Sequence, residues 1–151
     1  MGGAFFMIDP MSDYPAYLLR RASAMAMGRL AAHLKALRLN PTDATVLNVI
    51  DANPNLKQSE IGRMLDIARA NMAPLISRLA ERDLIERQPV DGRSHGLILS
   101  RAGRALIPRI KSAFTEHEDE LMKDIPASQR RAFVAALRAM LRGAEPARRQ
   151  G

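Results

Sequence analysis

The chain has 151 residues and no cysteine, so it is expected to form one domain, or one domain with an extension, without disulfides or thiolate metal sites. Its formal net charge of +7 is compatible with a polyanionic partner. No apolar run approaches the roughly 18 residues of a membrane span, and no basic stretch precedes the apolar patch near the N-terminus, so a cytoplasmic location is expected.

The composition, 47% apolar but only 4% aromatic, favours helices over a β-sandwich. Apolar spacing predicts a first helix over about 14–37, after a disordered lead at residues 1–11. Asn40 as cap, Pro41 as first helical residue and Asp43 as the acid of the third position predict the start of a second helix. The later predicted elements are helices at 58–65 and 69–82, hairpin arms at 85–90 and 96–99, a helix capped by Ser100 that ends near Lys123, a last helix after Pro126, and a disordered tail at 143–151.

The segment Asp91-Gly92-Arg93-Ser94 lies between the two strand-like runs, directly after the helix-turn-helix pattern at 57–82. An Asp-Gly pair favours a tight hairpin turn, because both of its positions accept a positive φ. A hairpin in this place predicts the wing of a winged helix, with Arg93 at its tip. That arginine suits a narrow, electronegative minor groove, and the alternative is a solvated hairpin tip.

The charge is unevenly distributed along the chain. Residues 57–95 contain seven Lys and Arg but also six Asp and Glu, so the predicted reading segment is nearly neutral. The basic surplus lies in residues 1–39, 96–113 and 126–151. If the segment binds DNA, it is therefore expected to do so through particular arginines and not through a general positive field.

The first and last helices carry apolar stripes that a winged-helix core of this size covers only in part. The simplest partner for these stripes is a second copy of the chain, joined through a two-fold interface. The predicted organisation is a winged helix-turn-helix DNA-binding domain at 39–100, flanked by dimerisation helices at 12–38 and 101–142. The predicted fold class is mainly α, with a small β-hairpin wing.

The ordered set of motifs resembles the MarR family of bacterial transcriptional regulators over roughly residues 14–142. The residues that carry the resemblance are Leu39-Asn40-Pro41-Thr42, Gln58-Ser59-Glu60-Ile61-Gly62, Leu75-Ile76-Ser77-Arg78-Leu79, Leu84-Ile85-Glu86-Arg87, Asp91-Gly92-Arg93 and Leu97-Ile98-Leu99-Ser100-Arg101-Ala102-Gly103. The resemblance implies a nucleoid-associated homodimer whose terminal helices form the dimer interface. Its two winged helices would read a palindromic site in successive major grooves.

By this resemblance, residues 69–78 form the recognition helix. The residues expected to contact DNA are Gln58, Ser59, Arg69, Asn71, Arg78, Asp91, Arg93, Ser94 and His95. Those of the recognition helix would meet base edges or phosphates, and Asp91 would brace Arg93 or a neighbouring arginine. The alternative for each of them is an ordinary solvated face.

Two residues depart from the family's pattern. Lys57 stands at the usual Ser or Thr cap of the third helix, so a capping bond is expected to be lost, although Lys57 could reach a phosphate. Pro74 lies inside the recognition helix and removes a backbone donor, which predicts a kink or a loosening of the first turns. The run 69–75 resembles family members that control aromatic-compound catabolism, which implies an aromatic acid or its CoA thioester as effector.

The residues expected to bind this effector are Arg20, Met25, Arg29, His33 and His117. Arg20 could bind the phosphates of a CoA group, or it could form a dimer salt bridge or remain solvated. The two histidines lie within or beside the apolar stripes, where they could bind a carboxylate or a metal, or be core or interface histidines with one satisfied hydrogen bond. The acidic run 116–120 is interpreted as a solvated face, because contiguous residues of a helix point in different directions. No metal and no cofactor are expected.

Catalysis is not expected, since the chain has no cysteine, only three histidines, and no Gly-x-Ser-x-Gly, phosphate-loop or dinucleotide motif. The predicted function is a homodimeric transcription repressor that a small molecule releases from its operator. Two alternatives stay open. The basic flanks suit a sequence-neutral architectural DNA-binding protein, and the nearly neutral reading segment suits a winged-helix protein-interaction module.

Overall fold

A computed structural model describes residues 9–92 and 94–148 of the chain. The elements, in chain order, are α1 (Pro15–Leu34), which continues into a 3-10 turn (Lys35–Leu37), α2 (Pro41–Ala52), α3 (Gln58–Leu65), α4 (Arg69–Glu81), β1 (Ile85–Asp91), β2 (Ser94–Leu99), α5 (Arg101–Met122) and α6 (Ala127–Arg148). The chain divides into two compact units, Met1–Thr115 and Glu116–Gly151, and the division falls within α5. None of the helices in the described part has the length and apolar character needed to cross a membrane.

The first unit has one continuous apolar core. Each helix contributes residues three or four positions apart, as an amphipathic helix must when it buries one face. The buried members include Leu30 and Leu34 from α1, Leu47 and Ile50 from α2, Ile61 from α3, Leu75, Ile76 and Leu79 from α4, Leu97 and Leu99 from β2, and Ile107 and Ile110 from α5. The hairpin and the helices before it therefore share one core.

The start of α2 confirms the predicted cap. The Oδ1 atom of Asn40 accepts the backbone N–H of Asp43 at 2.8 Å, and Pro41 occupies the first turn. The carboxylate of Asp43, however, is not a solvated capping acid. It is buried and accepts hydrogen bonds from Arg78 of α4.

The two helices of the helix-turn-helix are better formed at their starts than the sequence predicts. The backbone N–H of Lys57 donates to Glu60 Oε2 at 2.7 Å, so Glu60 supplies half of a capping box that the Lys57 side chain cannot complete. Pro74 lies exposed within α4 and does not interrupt it. The N–H groups of Asn71 and Met72 both bond to the Ala68 carbonyl, so the expected loosening of the first turn is absent.

The hairpin forms where predicted, but its turn is displaced by one residue. Asp91 pairs with Ser94, so Asp91 belongs to β1 and not to the turn, and neither Asp91 nor Gly92 has a positive φ. The prediction of an Asp-Gly turn with two positive φ angles is therefore wrong. The register shifts between Pro89 and Asp91, at a bulge beside a residue that has no N–H to donate. Arg93 itself lies outside the described residues.

The hairpin is attached to the segment that leads into α3. Asn55 N–H donates to the Leu97 carbonyl and Leu97 N–H donates to the Leu56 carbonyl, each at 2.9 Å. This contact needs a residue without a side chain at Gly96, because a Cβ atom there would lie 2.4 Å from the Asn55 carbonyl oxygen. The start of α3 and the base of the wing are thus held together by backbone hydrogen bonds.

The hairpin also joins α5 without a flexible linker. Ser100 caps α5 as predicted, since its Oγ atom accepts the N–H of Gly103 at 2.9 Å, and its own N–H donates to the Leu84 carbonyl at 3.1 Å. A Cβ atom at Gly103 would lie 2.0 Å from that same Leu84 oxygen. The backbone of α5 therefore lies directly against the end of the α4–β1 turn.

Both chain ends depart from the predicted boundaries. At the N-terminal end, Asp9 accepts hydrogen bonds from Met11 N–H at 3.0 Å and from the Tyr17 hydroxyl at 2.9 Å, so part of the expected disordered lead is an ordered turn against α1. Residues 1–8 of that lead lie outside the described part. In the second unit, α6 continues to Arg148 and so includes most of the tail that composition alone assigned to disorder.

Candidate nucleic-acid interface

A cleft of about 1040 Å³ opens between the start of α3, the start of α4 and the hairpin. Its floor is apolar and includes Gly62, Ile67 and Met72. The cations that line it are Lys57, Arg63, Arg69 and Arg87, joined by His95. We call this surface the cationic cleft. Such a combination of shape and charge suits the sugar-phosphate backbone of a nucleic acid.

The cationic cleft explains how a nearly neutral segment can present a positive surface. Among the described side chains of residues 57–95, four Lys and Arg line the cleft, whereas Asp66 is the one acidic residue that does so. Glu60 is engaged by the Lys57 backbone N–H instead. Folding therefore separates charges that the linear sequence mixes.

A second concavity of about 480 Å³ lies on the other side of the α3–α4 turn. We call it the α2–α4 groove. Its polar lining residues include Asn40 and Thr42 from the start of α2, and Asn71 and Arg78 from α4. The two concavities share residues 66–68. The first turns of α4 consequently form a ridge with a groove on either side, which is the shape of an element that enters a groove of DNA.

Two arginines, one helical turn apart, connect α4 to the elements before it. Arg78 donates to Asp43 from Nη2 at 2.6 Å and from Nε at 3.3 Å. This hydrogen bonding raises the pKa of Arg78 above its usual value, and burial opposes the increase. Arg82 donates to the carbonyls of Arg38 at 2.6 Å and Leu37 at 3.2 Å. Both arginines thus fix α4 against the junction of α1 and α2.

The structure divides the residues expected to contact DNA among several places. Gln58, Ser59, Arg69 and His95 line the cationic cleft, and Asn71 and Arg78 line the α2–α4 groove. Ser94 is half-buried at the start of β2. Asp91 is placed only by its backbone, at the end of β1, and Arg93 lies outside the described residues.

Sequence reasoning missed two residues of the cationic cleft, Arg63 and Arg87, and the buried partner of Arg78, Asp43. Arg63 shares a face of α3 with Ser59, four residues earlier, so helical spacing could have found it. Arg87 could be found only from the strand register. The register pairs His95 with Pro89, and Pro89 follows Arg87 by two residues, so it lies on the same face of β1. Asp43 carries no sequence signal for its pairing, since its partner Arg78 is 35 residues away.

The residues expected to bind an effector do not line either concavity. Arg20 lies with its guanidinium 5.4 Å from the centre of the Tyr17 ring, and Met25 and Arg29 are exposed on α1. His33 is half-buried on the same helix, whereas His117 is buried and belongs to the second unit. Within residues 9–92 and 94–148, no three His, Asp or Glu side chains come together as a metal site would require.

A helix-turn-helix followed by a hairpin, with cations beside the second helix, defines a winged-helix protein of the transcription-regulator class. Comparison with known proteins then gives the family. The family model described as MarR family matches residues 37–94 of the chain. The chain belongs to the MarR family, whose members are transcriptional regulators and not enzymes.

Similar proteins extend the match beyond the winged helix. The transcriptional repressor CouR, bound to a 23-mer DNA duplex, is 31% identical over 91% of this chain and 99% of that one, with a TM-score of 0.83. CouR bound to p-coumaroyl-CoA is 30% identical over 91% and 98%, with a TM-score of 0.82. A Thauera aromatica protein, described as a transcriptional regulatory protein for the hcr operon, is 25% identical over 82% of this chain and 76% of that protein.

Proposed function

We propose that this protein is a homodimeric repressor that reads a palindromic DNA operator and leaves it when a small aromatic effector binds. The observation that carries the proposal is the ridge of α4 between the cationic cleft and the α2–α4 groove. The similarity to CouR, which binds a DNA duplex in one structure and p-coumaroyl-CoA in another, supports both halves of it. The protein would act at the nucleoid in the bacterial cytoplasm.

In the proposed complex, α4 enters the major groove and the cationic cleft lies along the phosphates beside it. Arg69 and Asn71 stand at the first turn of α4, where side chains of a recognition helix meet base edges. Gln58 and Ser59 begin α3, whose first N–H groups are suited to phosphate oxygens. The wing would then bring Arg93 to the adjacent minor groove, with Ser94 directly after it and Asp91 two residues before it in the chain.

The proposed effector is an aromatic acid or its CoA thioester. In the first unit its proposed contacts are Arg20, Met25, Arg29 and His33 of α1, and in the second unit His117 is a separate candidate. The α1 residues suit such a ligand, because they combine exposed cations with exposed apolar surface. The joint at Ser100 and Gly103 supplies the mechanical step. Since α5 lies against the α4–β1 turn with no flexible linker, a ligand that displaces the dimer helices would also displace α4.

Selection of bound duplexes from a random pool tests the DNA part of the proposal. An inverted repeat with half-site centres about 34 Å apart, one turn of DNA, is the expected result. Unpatterned DNA with a steep salt dependence would favour a sequence-neutral architectural protein instead. Recovery of no DNA above background, from protein shown to be free of small ligands, would favour a protein-interaction module.

Arginine substitutions test the surface itself. Arg69→Ala and Arg87→Ala should each weaken binding to the selected duplex. A lost base contact should cost about 1–3 kcal/mol of binding free energy, and a lost phosphate contact should reduce the salt dependence of binding by about 1 in slope. Arg109→Ala is the matched control, because it removes an exposed arginine of α5 that lines neither concavity. Equal losses for all three variants would argue that only net charge matters.

Titration of the protein–DNA complex with small molecules tests the effector. Comparison of p-coumaroyl-CoA, p-coumarate, CoA and acetyl-CoA distinguishes the effect of the aromatic group from that of the nucleotide. We expect p-coumaroyl-CoA to release the DNA at concentrations where CoA and acetyl-CoA have no effect. His33→Ala and Arg29→Ala should raise the concentration needed for release about tenfold or more, while leaving DNA affinity unchanged. If none of the four compounds changes DNA affinity, the proposal of an aromatic effector is wrong.

A further inference from the structure

We propose that Asp43, a residue of α2, determines base preference by fixing the orientation of Arg78 on α4. Asp43 would act as a positioning residue, since it acts through Arg78 and not by touching DNA. The inference deepens the proposed function and rests on it, because it requires α4 to read DNA. Four observations carry it: the burial of the pair, its geometry, its position, and the other contacts of α4.

The two partners of the ion pair differ sharply in exposure. The Asp43 side chain is 3% exposed, whereas the Arg78 side chain is 45% exposed. Placing a carboxylate in the core is costly unless it is paired and hydrogen-bonded, so an ion pair of this kind is a poor device for stability alone. It is well suited to holding an exposed cation in one orientation, because the buried partner cannot move.

The geometry of the pair leaves part of the guanidinium available. Asp43 accepts from Nε and Nη2 of Arg78, which leaves three of the five guanidinium N–H groups for other acceptors. Those three include both hydrogens of Nη1. A planar fork of this kind matches the O6 and N7 acceptors of guanine in the major groove.

Arg78 shares its face of α4 with Asn71, which lies seven residues earlier, close to two helical turns. Both side chains line the α2–α4 groove. The exposed Asn71 and the exposed part of Arg78 therefore form one polar stripe on α4. Asp43 lies behind this stripe, on the neighbouring helix.

The docking of α4 has other contacts besides this pair. Arg82 bonds to the carbonyls of Leu37 and Arg38. Leu75, Ile76 and Leu79 bury the inner face of α4 in the core. These contacts also hold the helix in place, so the effect that is specific to the Asp43–Arg78 pair is on the direction of the Arg78 side chain.

The test compares base preferences, because a structural role would not change them selectively. Each base pair of the half-site selected by the wild-type protein is substituted singly, and the affinities are measured for wild type, Asp43→Asn and Arg78→Lys. Both variants are expected to lose at least tenfold of the preference at the same base pair, and little elsewhere. Asp43→Asn added to Arg78→Lys should cause no further loss of preference, since one residue acts through the other.

Arg82→Gln is the matched control, because it breaks the other arginine contact of α4 and leaves the pair intact. It should lower the melting temperature without changing base preference. Three results for Asp43→Asn would each overturn the proposal. They are a uniform loss of affinity on all duplexes, an unchanged base-preference profile, and a further loss of preference when Arg78→Lys is already present. If Asp43→Asn does not fold, Asp43→Glu keeps the charge and shifts the carboxylate, and an unchanged profile there overturns the proposal equally.

The same data separate this inference from the proposed function. If the wild-type protein selects no patterned DNA, the proposed function fails. If it selects a patterned half-site that all the variants read alike, the function stands and the role of Asp43 fails.

Discussion

The helices α1 and α4 are both amphipathic, but only α4 finds cover for its apolar face. In α4 the apolar residues Met72, Leu75, Ile76 and Leu79 are all buried, and the exposed residues are mainly polar or small. In α1 only Ala26, Leu30 and Leu34 are buried. Its large residues Leu18, Leu19, Met25 and Met27 remain 40–47% exposed.

The contrast shows which part of the protein is complete as one chain. An apolar stripe predicts that one face of a helix will be buried, but it does not predict which element will cover that face. The α4 face is covered within the first unit, which leaves the opposite face for a ligand. The α1 face, like Phe133, Met140 and Leu141 of α6, retains apolar surface that suits a second copy of the chain.

Charging the α1 face should have the largest effect. Leu18 and Met25 lie seven residues apart on one side of the helix, so Leu18→Glu with Met25→Glu should place two charges per chain in the proposed dimer interface. Each buried, unpaired charge costs about 3–5 kcal/mol, so the dimer should dissociate into folded monomers. Sedimentation equilibrium measures this. Ser23→Glu, on another face of α1, should stay dimeric, and a dimer that tolerates the double change would refute this interface.

Substituting Gly103 should reduce stability strongly without touching either exposed surface. The Cβ atom of Gly103→Ala would lie 2.0 Å from the Leu84 oxygen, a backbone atom that cannot move alone. We expect a loss of about 3 kcal/mol in the free energy of unfolding, by urea denaturation. Gly28→Ala is the control. Its Cβ would have no atom of the described residues within 4 Å, so alanine should be neutral or slightly stabilising there unless a second copy fills that space.

Removing the cap of α2 should have a moderate effect. Asn40→Ala deletes the acceptor of the Asp43 N–H and should cost about 1 kcal/mol in the free energy of unfolding. Thr42→Ala, at an exposed neighbouring position, should stay within about 0.5 kcal/mol of wild type. If both changes cost the same, the cap is not what stabilises the start of α2.

The smallest effect concerns the N-terminal end of α1. The hydrogen bond from Met11 N–H, with those from Tyr17 and the charge of Arg21, lowers the pKa of Asp9 below its ordinary value of 3.8. A lowered pKa means that the contact contributes fully above pH 3.8 and is lost as the pH falls through the lower folded-state value. NMR titration of the Tyr17 ring should follow this loss. Asp9→Asn should abolish the response, and a ring signal that titrates unchanged in that variant would contradict the assignment.

Much of the fold was predictable because its signals are local. The caps at Asn40 and Ser100 each involve a partner three residues away, and helical periodicity requires only neighbouring turns. The predictions failed where a local signal competed with a longer contact. Pro74 does not loosen α4, since the core holds the buried face of that helix, and the bulge at Pro89 shifts the turn that Asp91-Gly92 alone would favour.

The candidate site was predictable in outline and not in detail. Arg69 and Asn71 follow from their place on the second helix of the motif. Arg87 joins them only through the strand register, which the sequence does not specify to one residue when a bulge is present.

The helices, the hairpin and the family could be predicted from the sequence, because they depend on periodicity, capping residues and motif order over short distances along the chain. The tertiary structure alone decided which charges face one another. It placed Asp43 against Arg78 and brought Lys57, Arg63 and Arg87 to one cleft. The physical reason is that an electrostatic contact depends on distance and burial in space, and residues far apart in the chain acquire both only when the core packs.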